Sequence, residues 1–191
     1  MRYDKQYFGQ LIILCGVLAM PLTASAQTAS ERAAEVSGDE FVRAFLGNCA
    51  QNPGDFDRIV AASIALGHSD LPAEMKPLMA PQDPEAEFVG YYAKTGEAAP
   101  YLMGVSKSDV NGESITVCAV ANPYINTAEV VSALQSFVQL GAPDDDETAM
   151  GQRYRIWFTD DLPKGAYISL TDAEPMGYDG ATLSLLAPSL N

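Results

Sequence analysis

The sequence predicts a single α+β domain in which two helices precede an antiparallel sheet of about six strands. Helix-capping residues followed by apolar residues at helical spacing occur three times. Runs rich in β-prone residues follow one another with short connections, which favours antiparallel pairing. Asn111-Gly112 separates two of these runs, and Asn-Gly is the strongest short-range signal for a hairpin. The predicted order is ααβββαβββ, with the helices on one face of the sheet.

Residues 1–26 have the pattern of a secretory signal peptide. Arg2 and Lys5 supply the positive start, residues 11–22 form an apolar run, and Ala-Ser-Ala at 24–26 is a small-residue cleavage motif. The apolar run is shorter than the roughly 20 residues of a membrane-spanning helix. We therefore expect cleavage after the motif and a periplasmic or secreted protein without an integral membrane segment.

The chain is strongly acidic, with 25 acidic and 11 basic residues and a net charge of −14. Removal of residues 1–26 leaves 165 residues, a usual size for one domain, with 9 basic and 24 acidic residues and a net charge of −15. This charge argues against nucleic acid as a partner. It favours either a cationic partner or high solubility alone, and composition does not separate these two.

Residues 27–36 are small, polar and charged, and they are predicted to be a flexible leader before a single domain at 37–191. Ser37 and Glu40 have the spacing of a capping box, in which a hydroxyl and a carboxylate bond the first backbone N–H groups of a helix. The apolar stripe of this first helix consists of Phe41, Ala44, Phe45 and Cys49.

Two further helices are predicted by similar signals. Asp55 caps the second helix, which Gly67 closes. Asn126 caps the third, which is expected to end at Gly141. A shorter helical piece, with Asp70 as its cap, is predicted between the second helix and the first strand.

The predicted strands are joined by loops rich in turn-forming residues. With the Asn-Gly pair as a two-residue loop, Val105 lies opposite Cys118, which places Cys118 on an apolar face that a helix can cover. The acidic stretch at 142–147 is predicted to be a loop. The six strands are expected at 87–94, 101–108, 114–120, 153–158, 166–171 and 181–186.

Cys49 and Cys118 are predicted to form a disulfide. Because Cys15 leaves with the signal peptide, these two remain as an even pair in an oxidising compartment. A bond between residues 69 positions apart would stabilise the fold by about 4 kcal/mol in the chain-entropy model. A redox-active pair is the alternative, although the Cys-x-x-Cys spacing of such pairs is absent.

Several markers in the chain resemble those of a family of small exported Gram-negative proteins of unassigned function. The resemblance covers most of the chain after the signal peptide and implies a shared, disulfide-tied α+β domain. It implies no catalytic residue, because none is assigned in that family. The markers are Phe45 with Cys49 at a helix end, Asp55-x-x-Arg58, Ala61-x-x-x-x-x-Gly67, and Val117-Cys118-Ala119-Val120.

The supply of catalytic side chains is limited. His68 is the only histidine, which excludes a two-histidine metal site within one chain. A nucleophile–histidine pair would have to use His68. Because His68 lies between the end of the second predicted helix and the residue that caps the next helical piece, a structural role is favoured. Gly-x-Ser-x-Gly and phosphate-binding glycine loops are absent from the sequence. No catalytic residue, cofactor or metal ligand is predicted.

Two acidic stretches have both a functional and a structural interpretation. The carboxylates at 144–147 are of the type that binds Ca²⁺, but they lack the spacing and central glycine of an EF-hand, so a solvated loop is favoured and cation binding stays open. Asp160 and Asp161 are the kind of carboxylates that a glycosidase pairs, yet they also fit a solvated turn.

The run at 153–158 places Arg153, Arg155 and Trp157 on one strand face. We expect this face to be an outer one, where the combination would suit an anionic or aromatic ligand through bidentate hydrogen bonds and cation–π contact. In so acidic a chain, pairing of both arginines with carboxylates on neighbouring strands is the favoured, structural interpretation.

The function predicted from these observations is that of an exported, non-enzymatic binding or accessory protein of unknown ligand. The ligand is expected to be a cationic protein or a small molecule. An acidic inhibitor or protection protein that docks on a cationic enzyme such as a lysozyme is the alternative, and a hydrolase is the third possibility. Steep weakening by salt would favour the inhibitor over the first function.

Overall fold

The computed structural model describes residues 36–93 and 101–190. The predicted signal peptide, all of the leader except Val36, and Lys94 lie outside these ranges. The helices are α1 (Gly38–Asn48), α2 (Phe56–Ala65) and α3 (Thr127–Val138), and short 3₁₀ turns lie at Lys76–Leu78 and Glu174–Met176. The strands are β1 (Ser69–Asp70), β2 (Glu87–Ala93), β3 (Tyr101–Val110), β4 (Glu113–Asn122), β5 (Asp145–Ala149), β6 (Gln152–Trp157), β7 (Tyr167–Asp172) and β8 (Ala181–Pro188).

All eight strands belong to one antiparallel sheet with the order β1-β2-β3-β4-β8-β7-β6-β5. The strands β1 to β4 follow one another from one edge of the sheet to its centre. After α3 the chain continues at the opposite edge, and β5 to β8 follow one another from that edge to the centre. The two halves therefore meet where β4 pairs with β8 at the centre. The α+β class is confirmed.

The predicted order ααβββαβββ is wrong, because the described order is ααββββαββββ. The two strands missing from the prediction, β1 and β5, are the two edges of the sheet. Edge strands are short and exposed, so they lack the apolar alternation by which buried strands are identified. As a result, Asp70, the predicted cap of a helical piece, belongs instead to β1, and the second half of the predicted acidic loop at 142–147 is the start of β5.

The helices begin at the predicted caps. Ser37 Oγ accepts the Glu40 N–H at 3.3 Å while the Ser37 N–H donates to the Glu40 carboxylate at 3.1 Å, which completes the capping box. Asp55 and Asn126 accept the N–H groups three residues further on. α3 ends before the expected Gly141, because Gln139 takes the left-handed conformation with φ 52°.

Val36, the last residue of the predicted flexible leader, is buried in the core. It directly precedes the cap of α1, and Phe41 is the fourth residue of that helix. These are the positions of a hydrophobic staple, which fixes the direction in which a chain enters a helix. Val36 therefore packs with the domain that follows it.

The main core lies between the helices and one face of the sheet. α1 packs beside α3 and against β4 and β8, while α2 packs against β3. The disulfide Cys49–Cys118 joins the end of α1 to the centre of β4, with 5.4 Å between the Cα atoms, and both cysteines are fully buried. The predicted pairing is confirmed. None of the helices in the described ranges is long and apolar enough to cross a membrane.

A second, smaller core covers the opposite face over β2, β3 and β4. Leu71 and Met79 lie on this face against Gly90 and Gly104. A Cβ on Gly90 would lie 2.9 Å from the Leu71 side chain, so the glycine allows this close approach. The strands β5 to β7 lie beyond this cover and carry the features described below.

The Asn111-Gly112 turn has the predicted geometry. Both residues have positive φ angles, 53° and 84°, and the flanking strands pair Val105 with Cys118 as expected. The register confirms that the hairpin places Cys118 on the face covered by helices.

Gly112→Val is expected to lower the free energy of unfolding by about 1–2 kcal/mol, because a β-branched residue is strained at positive φ. No atom lies within 4 Å of the position of a new Cβ, so the backbone conformation alone is tested. Urea denaturation measures the effect. Gly47→Ala in α1, also in open space but at a helical φ, is the matched control and should stabilise by about 0.5–1 kcal/mol. A Gly112→Val midpoint equal to that of the parent would contradict the turn assignment.

Candidate functional site

Arg153, Arg155 and Trp157 share one face of β6, as alternation predicts, but this face is the one covered by helices. Trp157 is only 1% exposed and Arg155 only 6%, so the expectation of an outer face is wrong for these two residues. Trp157 Nε1 donates a hydrogen bond at 3.2 Å to the carbonyl of Gly141, in the segment that follows α3. Alternation shows which residues share a face and leaves open which face is buried.

Both arginines bond to carboxylates on neighbouring strands, as the structural interpretation predicts. Arg155 forms an ion pair with Asp172 of β7, and the two side chains are 7% and 0% exposed. Arg153 bonds Asp146 of β5 through two nitrogens, at 2.7 and 2.6 Å, and approaches Glu174 at 3.7 Å. The hydrogen bonds from Arg153 hold the pKa of the Asp146 carboxyl below its ordinary value. The pair at Arg155 is thus buried, whereas that at Arg153 is partly exposed.

The acidic strand β5 is the most distinctive exposed feature of this half of the sheet. It pairs with β6 along one side, and no other strand in the described residues pairs with its outer side. Met150 and Gly151 connect β5 to β6 with φ angles of 51° and 81°, the geometry of a two-residue type I′ turn. Sequence analysis missed this hairpin because methionine rarely takes a positive φ, although the glycine before a β-prone run was a usable signal.

The turn determines which backbone groups of β5 point outward. In a two-residue hairpin, the residues that flank the turn bond to each other, and bonding then recurs at every second position. Ala149, Glu147 and Asp145 therefore direct their N–H and C=O groups to β6. Asp146 and Thr148 direct theirs away from the sheet, which leaves an open edge of strand backbone.

The carboxylates of β5 alternate between the two faces of the sheet. Asp145 and Glu147 lie on one face, while Asp146 lies on the other and is bonded to Arg153. Asp144, just before the strand, accepts the N–H of Phe158 at 2.8 Å. In the part of the chain that is described, no group of three or more histidine, cysteine or acidic residues is arranged to hold a metal ion. At β5, successive carboxylates point to opposite faces of the extended strand, so they do not converge on one position where an ion could bind.

Exposed apolar side chains lie at both ends of β5. Met150 at the turn is 63% exposed, and Met176 packs over the adjacent Gly151. At the other end, Phe158 is 52% exposed and its ring centroid lies 5.6 Å from that of Tyr167. An open pocket of about 480 Å³ adjoins Phe158. The acidic edge is therefore bordered by apolar surface at each end.

Asp160 and Asp161, the other acidic candidates, lie in the exposed turn between β6 and β7. Asp160 lines the open pocket together with Lys164. The N–H of Asp161 donates to Thr159 Oγ1 at 3.3 Å, a local contact typical of such turns. This geometry agrees with the structural interpretation of the pair as a solvated turn.

His68 bonds to a helix end. Its Nε2 lies 2.9 Å from Asn48 Oδ1, and because the Asn48 amide donates to the Ala44 carbonyl, Asn48 Oδ1 is the acceptor. The ring lies 6.5 Å from that of Tyr91, whose buried hydroxyl has no hydrogen-bond partner in the described residues. Burial lowers the pKa of His68 and raises that of Tyr91. The contact with Asn48 gives His68 a structural role, joining the end of α1 to the segment before β1.

The lowered pKa of His68 predicts a loss of stability as the pH falls through about 6.5, where the unfolded chain takes up the proton more readily than the folded protein. The loss should continue down to the folded-state pKa. Because His68 is the only histidine, His68→Gln should remove this slope between about pH 7.5 and 5.5, above the range in which most carboxylates titrate. Urea denaturation of both proteins across this range checks the prediction. Equal slopes in parent and variant would contradict it.

Fold and site together define a disulfide-tied α+β domain with an open acidic edge strand. Comparison with protein-family models, with curated proteins and with solved structures found no match for this chain. The resemblance to small exported proteins stays a prediction.

Proposed function

We propose that this chain is an exported, non-enzymatic binding or accessory protein whose partner is a cationic protein. The observation that carries the proposal is β5, an edge strand on which outward backbone groups and several carboxylates occur together. Export is supported by the disulfide, since such bonds persist in oxidising compartments, and by the signal-peptide pattern at 1–26.

The charge balance supports a cationic partner. The chain has a net charge of −14, and several of its basic residues are already engaged within the fold. Arg58, Arg153 and Arg155 each form an ion pair with an acidic residue. The remaining acidic surplus creates a negative field that attracts cationic proteins and speeds their association.

Inhibition of a cationic enzyme such as a lysozyme is the second candidate. It is favoured by the concentration of carboxylates in one exposed strand, because a projecting acidic edge fits a basic cleft better than a diffuse charge does. A loss of lysozyme activity on addition of the protein would favour inhibition. Binding without such a loss would favour the accessory role.

Calorimetric titration with cationic lysozyme and cytochrome c, and with an acidic protein as the negative control, tests the proposal. Binding to at least one cationic protein is expected, with steep weakening as salt is raised. Because both candidate functions involve a cationic partner, salt dependence supports docking by charge in either case, and the lysozyme activity assay separates the two. The variant Asp145→Asn/Glu147→Gln should bind more weakly than the parent. The matched control is Asp109→Asn/Glu113→Gln, which removes the same charge from two exposed residues at the β3–β4 hairpin. Absence of binding to every cationic protein tested would contradict the proposed function.

The export half of the proposal has its own test. N-terminal sequencing of the protein recovered from the periplasm or medium of expressing cells should begin at Gln27. Recovery of uncleaved protein from the cytoplasm alone would contradict export.

A further inference from the structure

Resting on the proposed function and specifying its binding mode, we propose that β5 binds its partner by strand addition. An extended, lysine- or arginine-rich segment of the partner pairs with the outer edge of β5 and becomes the ninth strand of the sheet. Strand addition is a recurrent mode of peptide recognition in which backbone hydrogen bonds supply affinity and side chains supply selectivity.

The backbone of β5 is already arranged for this pairing. Because the Met150-Gly151 turn directs the odd-numbered residues of β5 toward β6, the N–H and C=O groups of Asp146 and Thr148 face outward. Their spacing of two residues matches the alternate bonding of an incoming antiparallel or parallel strand. Every residue from 146 to 149 is exposed, so access from this side is open in the described structure.

The carboxylates of β5 favour a basic segment as the added strand. Asp145 and Glu147 line one face of the edge, while Asp146 lies on the other. An extended basic segment would place positive side chains next to carboxylates on both faces, because its side chains also alternate. A second copy of this chain would place like charges opposite one another, which is destabilising. The acidic edge thus favours a basic partner over self-association.

The apolar ends of the edge extend the surface available to such a segment. Met150 and Met176 lie beyond one end of β5, and Phe158 with its adjoining pocket lies beyond the other. Adaptable methionines and an exposed aromatic ring are suited to contact the apolar parts of a partner strand. At the opposite edge of the sheet, β1 has only two residues, so the longer β5 is the better template.

Titration with an eight-residue peptide that alternates lysine and valine, blocked at both ends, tests the proposal. The parent should bind this peptide. Thr148→Pro removes an outward N–H, a change that an edge strand tolerates, and should weaken binding about fivefold, as the loss of one hydrogen bond implies. The matched control Thr148→Ala keeps the N–H and should bind like the parent. The same peptide with every amide methylated keeps its charge and should lose binding to the parent protein.

Equal affinity of the parent for the plain and methylated peptides would overturn strand addition, and this comparison does not depend on how well Thr148→Pro folds. Equal affinity of well-folded Thr148→Pro and Thr148→Ala would do the same. In either case, retained binding of cationic proteins would leave the proposed function standing. Binding of neither peptide nor any cationic protein would contradict both proposals. Self-association through β5, detected as a dimer that Thr148→Pro dissociates, would replace the basic partner by a second copy and overturn the inference.

Discussion

Replacement of both disulfide cysteines, Cys49→Ala with Cys118→Ala, is expected to lower the free energy of unfolding by about 2–5 kcal/mol. The bond links positions 69 residues apart and so restricts the unfolded chain strongly. It also ties α1 to the central strand β4, next to the pairing that unites the two halves of the sheet. A loss of this size is a large share of the stability of a typical domain.

Urea denaturation of parent and double variant measures the loss. The parent protein unfolded under reducing conditions is the matched control, because it lacks the bond but retains both sulfur atoms. It should lose most of the same free energy. Two free thiols detected by alkylation and mass spectrometry in protein from an oxidising compartment would contradict the disulfide.

Asp172→Ala is expected to destabilise the protein by about 3–5 kcal/mol, because it leaves the buried charge of Arg155 without its partner. Asp172 also accepts the N–H of Glu174 at 2.9 Å, a contact that is lost as well. The matched control is Asp146→Ala, which removes the carboxylate from the partly exposed pair with Arg153. Exposed pairs contribute little, so this control should change stability by about 0–1 kcal/mol.

The double variant Arg155→Met/Asp172→Leu separates the buried charge from the packing around it. Apolar replacements of both partners of a buried ion pair are often neutral or stabilising, so the double variant should recover most of the stability lost in Asp172→Ala. Non-additivity of this kind is expected for residues in direct contact. Equal effects of Asp172→Ala and Asp146→Ala, or a double variant as unstable as Asp172→Ala, would contradict the assignment of a buried pair.

The sequence was sufficient to predict the locally encoded parts of this fold. The capping residues Ser37, Asp55 and Asn126 satisfy backbone groups within one helical turn, so their signal is complete in a few residues. The conformation of the Asn111-Gly112 turn is likewise determined by these two residues. The turn then sets the register of the hairpin, in which Val105 lies opposite Cys118.

The remaining parts depend on contacts between distant segments. The residues of β5 are mostly acidic and mostly exposed, so they lack the apolar alternation by which a buried strand is identified. Only the pairing with β6 makes this segment a strand. The face of Arg155 and Trp157 is buried because the end of α3 covers it, which alternation along one strand cannot show. Because pairing between strands cannot be read from one segment, the sequence predicts a loop where the edge strand of the candidate site begins. It leaves undecided whether that loop binds a cation.

Amide hydrogen exchange along β5, measured by NMR with and without the lysine–valine peptide, tests most directly the claim that this edge receives a partner strand. In the free protein, the amides of Asp146 and Thr148 should exchange rapidly while those of Glu147 and Ala149, which point to β6, are protected. Saturation with the peptide should protect Asp146 and Thr148 and leave the other two unchanged. Rapid exchange at Asp146 and Thr148 in the peptide-saturated protein would contradict the claim.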